Sequence, residues 1–111
     1  MSDAPEPPLS DDASTTLTAN ALKAMAHPLR WKILCSLGDR ELSVGEIVER
    51  TGTSQSNISQ HLEQLRNKNI VVARKDANRI FYRIRNPQLL ELIGIMRDVL
   101  CPANLEDRYP H

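Results

Sequence analysis

Several things are missing from this sequence, and each absence narrows its function. No apolar run approaches the roughly 20 residues that a membrane-spanning helix requires. The opening stretch MSDAPEPPLSDD has neither a basic start nor an apolar segment, so no secretory signal is expected and the cytoplasm is the expected compartment. There are only two cysteines, Cys35 and Cys101, too few for a disulfide scaffold or a four-thiolate zinc site. The three histidines, His27, His61 and His111, are scattered. No glycine-rich phosphate loop and no credible nucleophile triad is present, so an enzyme is not expected and no cofactor is called for. Internal repeats and low-complexity tracts are absent as well.

What remains is an ordinary globular composition, 41% hydrophobic and 25% charged over 111 residues, enough for one domain with a modest core. The formal net charge of zero conceals an uneven distribution. Asp3, Glu6, Asp11 and Asp12 make the start acidic. Arg66, Lys68, Arg74, Lys75, Arg79, Arg83 and Arg85 crowd a later stretch in which Asp76 is the one acid. A concentrated basic segment in a neutral chain suits a surface that meets phosphate, although a merely solvated charged face has the same composition.

The expected organisation is a disordered acidic tail over residues 1–14, a folded domain over 15–102 and a frayed tail over 103–111. A first helix is expected over about 16–26, with Leu17, Ala21, Leu22 and Met25 on one face. His27-Pro28 ends it. Pro28 suits the first turn of a second helix that stops at Gly38. Ser43 and Glu46 have the spacing of a capping box, which opens a short third helix ending near Thr51-Gly52. Thr53 or Ser54 then caps a fourth helix reaching Asn67, after a connection of helix-turn-helix length. Strands are expected over 70–75 and 80–85 about a turn at Asp76-Ala77-Asn78, followed by a last helix over 87–100. A helix-turn-helix followed by a basic hairpin predicts a mainly α winged helix-turn-helix.

The fourth helix, inside 53–68, is the expected reading helix. With Ile58, Leu62 and Leu65 inward, the 100° step per residue puts Ser56, Gln60, Glu63 and Asn67 outward, flanked by Asn57, Ser59 and Gln64. Gln55 and His61 lie nearer the edges. Gln and Asn can pair with adenine through two hydrogen bonds, and Ser can serve several bases. A solvated polar face is the bland alternative, but such a face usually carries Lys and Glu. The candidate DNA-binding residues are therefore Gln55, Ser56, Asn57, Ser59, Gln60 and His61. The wing adds Lys75, Asn78 and Arg79 at its tip, where an Arg can enter a narrow minor groove. Arg83 and Arg85 suit phosphate neutralisation or simple solvation. The last helix carries Leu89, Leu90, Leu92, Ile93, Ile95, Met96, Val99 and Leu100, a stripe too wide for one core contact. That width predicts a homodimer presenting two reading helices to double-stranded operator DNA. A winged helix serving only as a protein-interaction module is the alternative from another class.

Residues 20–101 resemble the ArsR/SmtB family of bacterial winged-helix repressors. The resemblance rests on Leu22-Lys23-Ala24-Met25-Ala26-His27-Pro28-Leu29-Arg30, on Glu41-Leu42-Ser43-Val44-Gly45-Glu46-Ile47, and on Ser54-Gln55-Ser56-Asn57-Ile58-Ser59-Gln60-His61-Leu62. It implies a cytoplasmic bacterial repressor that blocks promoters. Metal-sensing members carry cysteine where this chain has Ser43 and Gly45, and place acids and histidines along the last helix, where this chain has no histidine. No metal site is expected. The dithiol, sulfide- and redox-sensing subgroup (SqrR/BigR/HlyU-like) has cysteines at the places of Cys35 and Cys101. That resemblance implies a disulfide or polysulfide bridge formed by reactive sulfur or another oxidant, which weakens DNA binding. The residues alone leave open two inert buried thiols, and with them a repressor lacking a thiol switch. A bridge needs Cα atoms within about 7 Å, so the second and last helices would have to pack together. Cytosolic disulfides tend to be switches. Cys101 ends its helix, where the dipole disfavours a thiolate and Arg97 offsets it.

Overall fold

The computed structural model describes residues 12–100. The elements are α1 (Asp12–Met25), α2 (Pro28–Leu37), β1 (Leu42–Ser43), α3 (Val44–Thr51), α4 (Gln55–Asn67), β2 (Val71–Asp76), β3 (Arg79–Ile84) and α5 (Pro87–Leu100). This is a winged helix-turn-helix, as the pattern of caps and breakers predicts.

Local chemistry sets most of the boundaries. The His27 ring caps α2, its Nδ1 accepting from the Leu29 N–H at 3.1 Å, and Pro28 fills the first turn. Both halves of the capping box form on α3. The Glu46 N–H donates to Ser43 Oγ at 3.3 Å, and the Ser43 N–H donates to Glu46 Oε1 at 2.8 Å. Gly52 ends α3 in the left-handed region at φ 75°. Ser54, of the two candidates, caps α4, accepting from the Asn57 N–H at 3.2 Å. The far end of α4 closes in a Schellman motif. Ile70 N–H donates to Leu65 O and Asn69 N–H to Arg66 O, with Asn69 at φ 60°. Ile70 is used in that cap, so β2 begins at Val71, one residue later than expected. Asn86 Oδ1 caps α5 by accepting from the Leu89 N–H at 2.7 Å.

Three expectations need correction. The first helix starts at Asp12 rather than near residue 16, so residues 12–14 are helical and not part of a tail. A third strand exists: β1 pairs antiparallel with β3, giving the order β1-β3-β2. Two residues are too short for any periodicity to announce them, and only the partner strand makes them a strand. The wing turn is also tighter than expected. Asp76 pairs with Arg79, leaving Ala77 and Asn78 as a two-residue loop with Ala77 at φ 58°.

The core gathers Ile33, Leu34 and Leu37 of α2, Ile47 of α3, Ile58, Leu62 and Leu65 of α4, and Val71 of β2. The inward stripe of α4 is thus the one its spacing predicts. On the other side of α2, which packs on α1, α3, α4, β3 and α5, Leu34 is buried while Trp31 and Cys35 are half-buried. The last helix behaves differently. Ile93 is buried and Leu89, Leu90 and Met96 are partly covered, while Leu92, Ile95, Val99 and Leu100 are 46–73% exposed. Leu17 and Leu22 of α1 are also exposed. The single chain therefore leaves apolar surface open on both of its outer helices.

Candidate nucleic-acid interface

Gln55, Ser56, Asn57, Ser59 and Gln60 all lie exposed on α4, with Ser56 and Gln60 opposite its buried stripe. The first turn is internally ordered. Asn57 Nδ2 donates to Thr53 Oγ1 at 3.2 Å, and the hydroxyls of Ser54 and Ser56 lie 3.5 Å apart. The face is uncharged until Glu63, whose carboxylate is held by Arg66 at 2.7 Å.

The wing stands beside the start of this helix. A groove of about 300 Å³ is lined by Ser43, Val44, Gly45, Gln55, Asn78, Arg79 and Ile80. It brings Gln55 of α4 together with Asn78 and Arg79 of the wing. The contribution of the α3 N-terminus to this groove was not foreseen, because its residues read as a helix cap.

Two further candidate residues are bonded to side chains distant in sequence. Arg79 is folded back rather than projecting from the tip. Its Nη2 donates to Ser43 Oγ at 3.1 Å, and its guanidinium lies 5.0 Å from the Phe81 ring centroid. The second is His61, which is partly buried on the α2 side of α4. Its Nδ1 accepts from Arg30 Nε at 3.0 Å, and its ring lies 4.5 Å from that of His27. Burial, then the charges of His27 and Arg30, hold its pKa below the ordinary 6.5. Neither set of contacts was legible in the sequence, because the partners stand 31 and 36 positions away.

The basic stretch divides in the same way. Arg74 forms a two-pronged pair with Glu41 at 2.7 and 3.0 Å, lies 3.7 Å from Asp76 and also stands 5.0 Å from the Phe81 ring centroid. The bond from Arg74 holds the Glu41 carboxyl below its ordinary 4.5. Arg83 donates to the carbonyls of Ile84 and Arg85. Lys68, Lys75 and Arg85 are exposed, and nothing among the described residues engages their charges. Of the three, Lys75 is the wing candidate.

Cys35 sits half-buried on α2. Cys101 lies outside the described residues. Its neighbour Leu100 lines an apolar groove of about 470 Å³ with Trp31, Met25 and Met96, between α1, α2 and α5. Among the described residues no group of three His, Cys, Asp or Glu side chains is placed to hold a metal, and no helix is long and apolar enough to cross a membrane.

Residues 27–72 match the profile of the bacterial regulatory proteins of the arsR family. YgaV, an HTH-type transcriptional regulator of Escherichia coli K12, is 42% identical over 91 residues, which is 81% of this chain and 92% of YgaV. HlyU of Vibrio cholerae, a transcriptional activator, is 45% identical over 83 residues, 75% of this chain and 77% of HlyU. The solved structure of reduced HlyU superposes with a TM-score of 0.75, at 38% identity, over 84% of this chain and 98% of that one. The transcriptional repressor BigR of Xylella fastidiosa superposes with a TM-score of 0.73, at 31% identity, over 86% of this chain and 98% of that one.

Proposed function

This chain belongs to the arsR family of bacterial transcriptional regulators, in the branch that includes HlyU and BigR, and on that premise we propose that it represses transcription as an operator-binding homodimer. The observation that carries the reading is the uncharged donor and acceptor face of α4 beside a wing bearing Lys75 and Asn78. Gln55, Ser56, Asn57, Ser59 and Gln60 read base edges in the major groove. Lys75 and Asn78 meet the backbone beside it. Arg79 and His61 serve by holding the wing and α4 in place. The open apolar faces of α1 and α5 pair two chains, so that two copies of α4 enter successive major grooves about 34 Å apart. Work on chromosomal DNA keeps such a protein in the cytoplasm.

Binding to duplexes selected from a random pool, followed as a function of salt, tests this reading. Affinity should fall steeply with salt, and Gln60→Ala should weaken discrimination at one base position by about 1–3 kcal/mol. Absent or salt-insensitive binding would leave the fold as a protein-interaction module.

The inducer reading is that Cys35 and Cys101 are oxidised together. Two thiols give up two protons and two electrons to sulfane sulfur or another oxidant, and the bridge that forms restrains α2 against α5. Its support is the packing of α2 on α5, with Trp31 one turn before Cys35 and Leu100 next to Cys101 in one groove. Mass spectrometry and operator binding, with and without polysulfide treatment, decide it. An unlinked, unmodified pair with unchanged affinity would leave a repressor without a thiol switch.

A further inference from the structure

The contacts at His61 do more than fill space. Three side chains meet where the start of α2 crosses the middle of α4. Arg30 Nε donates to His61 Nδ1 at 3.0 Å. The His27 ring lies 4.5 Å from the His61 ring at an interplanar angle of 41°. His27 is itself held, since its Nδ1 accepts the Leu29 N–H at 3.1 Å as the cap of α2. His61 follows Gln60 on the helix and precedes the buried Leu62, so it stands at the edge between the outward face and the core.

That placement matters because the two kinds of contact differ in direction. The apolar stripe of α4 fastens the helix without directional preference. A hydrogen bond at the edge of the stripe has a preferred geometry and limits how far the helix can roll. The bond also has a protonation state written into it. Nδ1 accepts only with its lone pair free, so the ring is neutral with its proton on Nε2.

We infer that Arg30 is a positioning residue for α4, that its bond to the neutral His61 ring, backed by His27, sets the roll of the outward face, and that a proton on His61 releases it. The inference rests on α4 being the helix that reads DNA. A proton from solvent takes the lone pair of Nδ1, and the Arg30 N–H turns to water. An imidazolium then faces a guanidinium, which disfavours the closed arrangement. Of the elements packed on α4, namely α1, α2, α3 and β2, the ionisable groups whose charges reach the ring are His27 and Arg30 at the α2 end. Burial opposes the proton, and so do the Arg30 charge and any proton that His27 takes up, so the neutral, bonded form is favoured around neutrality.

The test combines a titration of labelled protein, free of DNA, with operator binding from pH 8 to pH 5. The variants are His61→Asn, which keeps an acceptor near the place of Nδ1 but does not titrate, and Arg30→Met, which keeps bulk but loses the donor. In the wild type the amide signals of α4 should move with the His61 ring, and operator affinity should fall on the order of tenfold with the same midpoint, the equivalent of one hydrogen bond to a charged group. His61→Asn should flatten both profiles. Arg30→Met should show displaced α4 amides already at pH 8, with an unchanged far-ultraviolet spectrum. If the ring titrates while the α4 amides stay still, or if His61→Asn keeps the wild-type pH profile, the inference is overturned. If no duplex binds at any pH, the DNA-reading proposal fails by itself, and the amide titration still decides whether Arg30 positions α4.

Discussion

Lys75 and Arg79 are both basic, both on the wing and four positions apart, yet the structure gives them different work. Truncating each to alanine should therefore produce different losses. Lys75 is exposed, and no described residue engages it. If it meets one phosphate, its removal takes about 0.9 from the slope of log affinity against log salt per subunit, or about 2 for a dimer. The fold should be untouched, since an exposed substitution of this kind stays within about 0.5 kcal/mol. Arg79 is committed to Ser43 Oγ at 3.1 Å and to the face of Phe81 at 5.0 Å. Losing a hydrogen bond of this kind costs about 1 kcal/mol and an exposed cation–π contact about 0.5–1 kcal/mol, so Arg79→Ala should destabilise the fold by about 1–2 kcal/mol. Its operator affinity should also drop, because the wing is no longer tied to the start of α3, but the salt slope should stay as in the wild type. The assay is fluorescence anisotropy with a labelled operator at several salt concentrations, alongside urea denaturation of each variant. A fall in slope for Arg79→Ala equal to that for Lys75→Ala, with wild-type stability, would refute the argument. Arg79 would then be a minor-groove or phosphate contact, as its place in the sequence suggests.

Other consequences can be measured more simply. Ala77 holds φ 58° at the first loop position of the wing, a conformation that disfavours L-residues by about 1–2 kcal/mol, so Ala77→Gly should stabilise the fold by a net of about 0.5–1 kcal/mol in denaturant titrations. Ile95→Asp places a charge on the open face of α5, where Ile95 is 52% exposed, and sedimentation should show a monomer that remains folded. The folded pKa of His61 lies below its ordinary 6.5, so in acid the unfolded chain binds its proton first. Its contribution to stability is complete above about pH 6.5 and declines as pH falls towards the folded value. Glu41 and Glu46 lie below their ordinary 4.5, so a second loss of stability should follow in more acid solution, visible as a two-stage fall in Tm.

Much of this fold is local in origin, which is why it could be read in advance. His27-Pro28, Ser43 with Glu46, Gly52, Ser54 and Asn86 each act on backbone groups within a few residues, so the amino-acid order alone determined five helices and where most of them start and stop. The spacing of Ile58, Leu62 and Leu65 determined which side of α4 faces out, because the helical period leaves no other choice. Tertiary structure decided the rest. β1 is a strand only because β3 lies beside it. Arg74, Arg79 and His61 looked like free surface groups until Glu41, Ser43 and Arg30 were brought to them from 33, 36 and 31 positions away. A charge count cannot separate committed cations from available ones, since commitment is a matter of distance in space. The two cysteines, the acidic start and the basic wing were present from the first line of sequence. Which of the seven basic residues between 66 and 85 are already engaged was decided by the fold, which brings Glu63 to Arg66, Glu41 to Arg74 and Ser43 to Arg79.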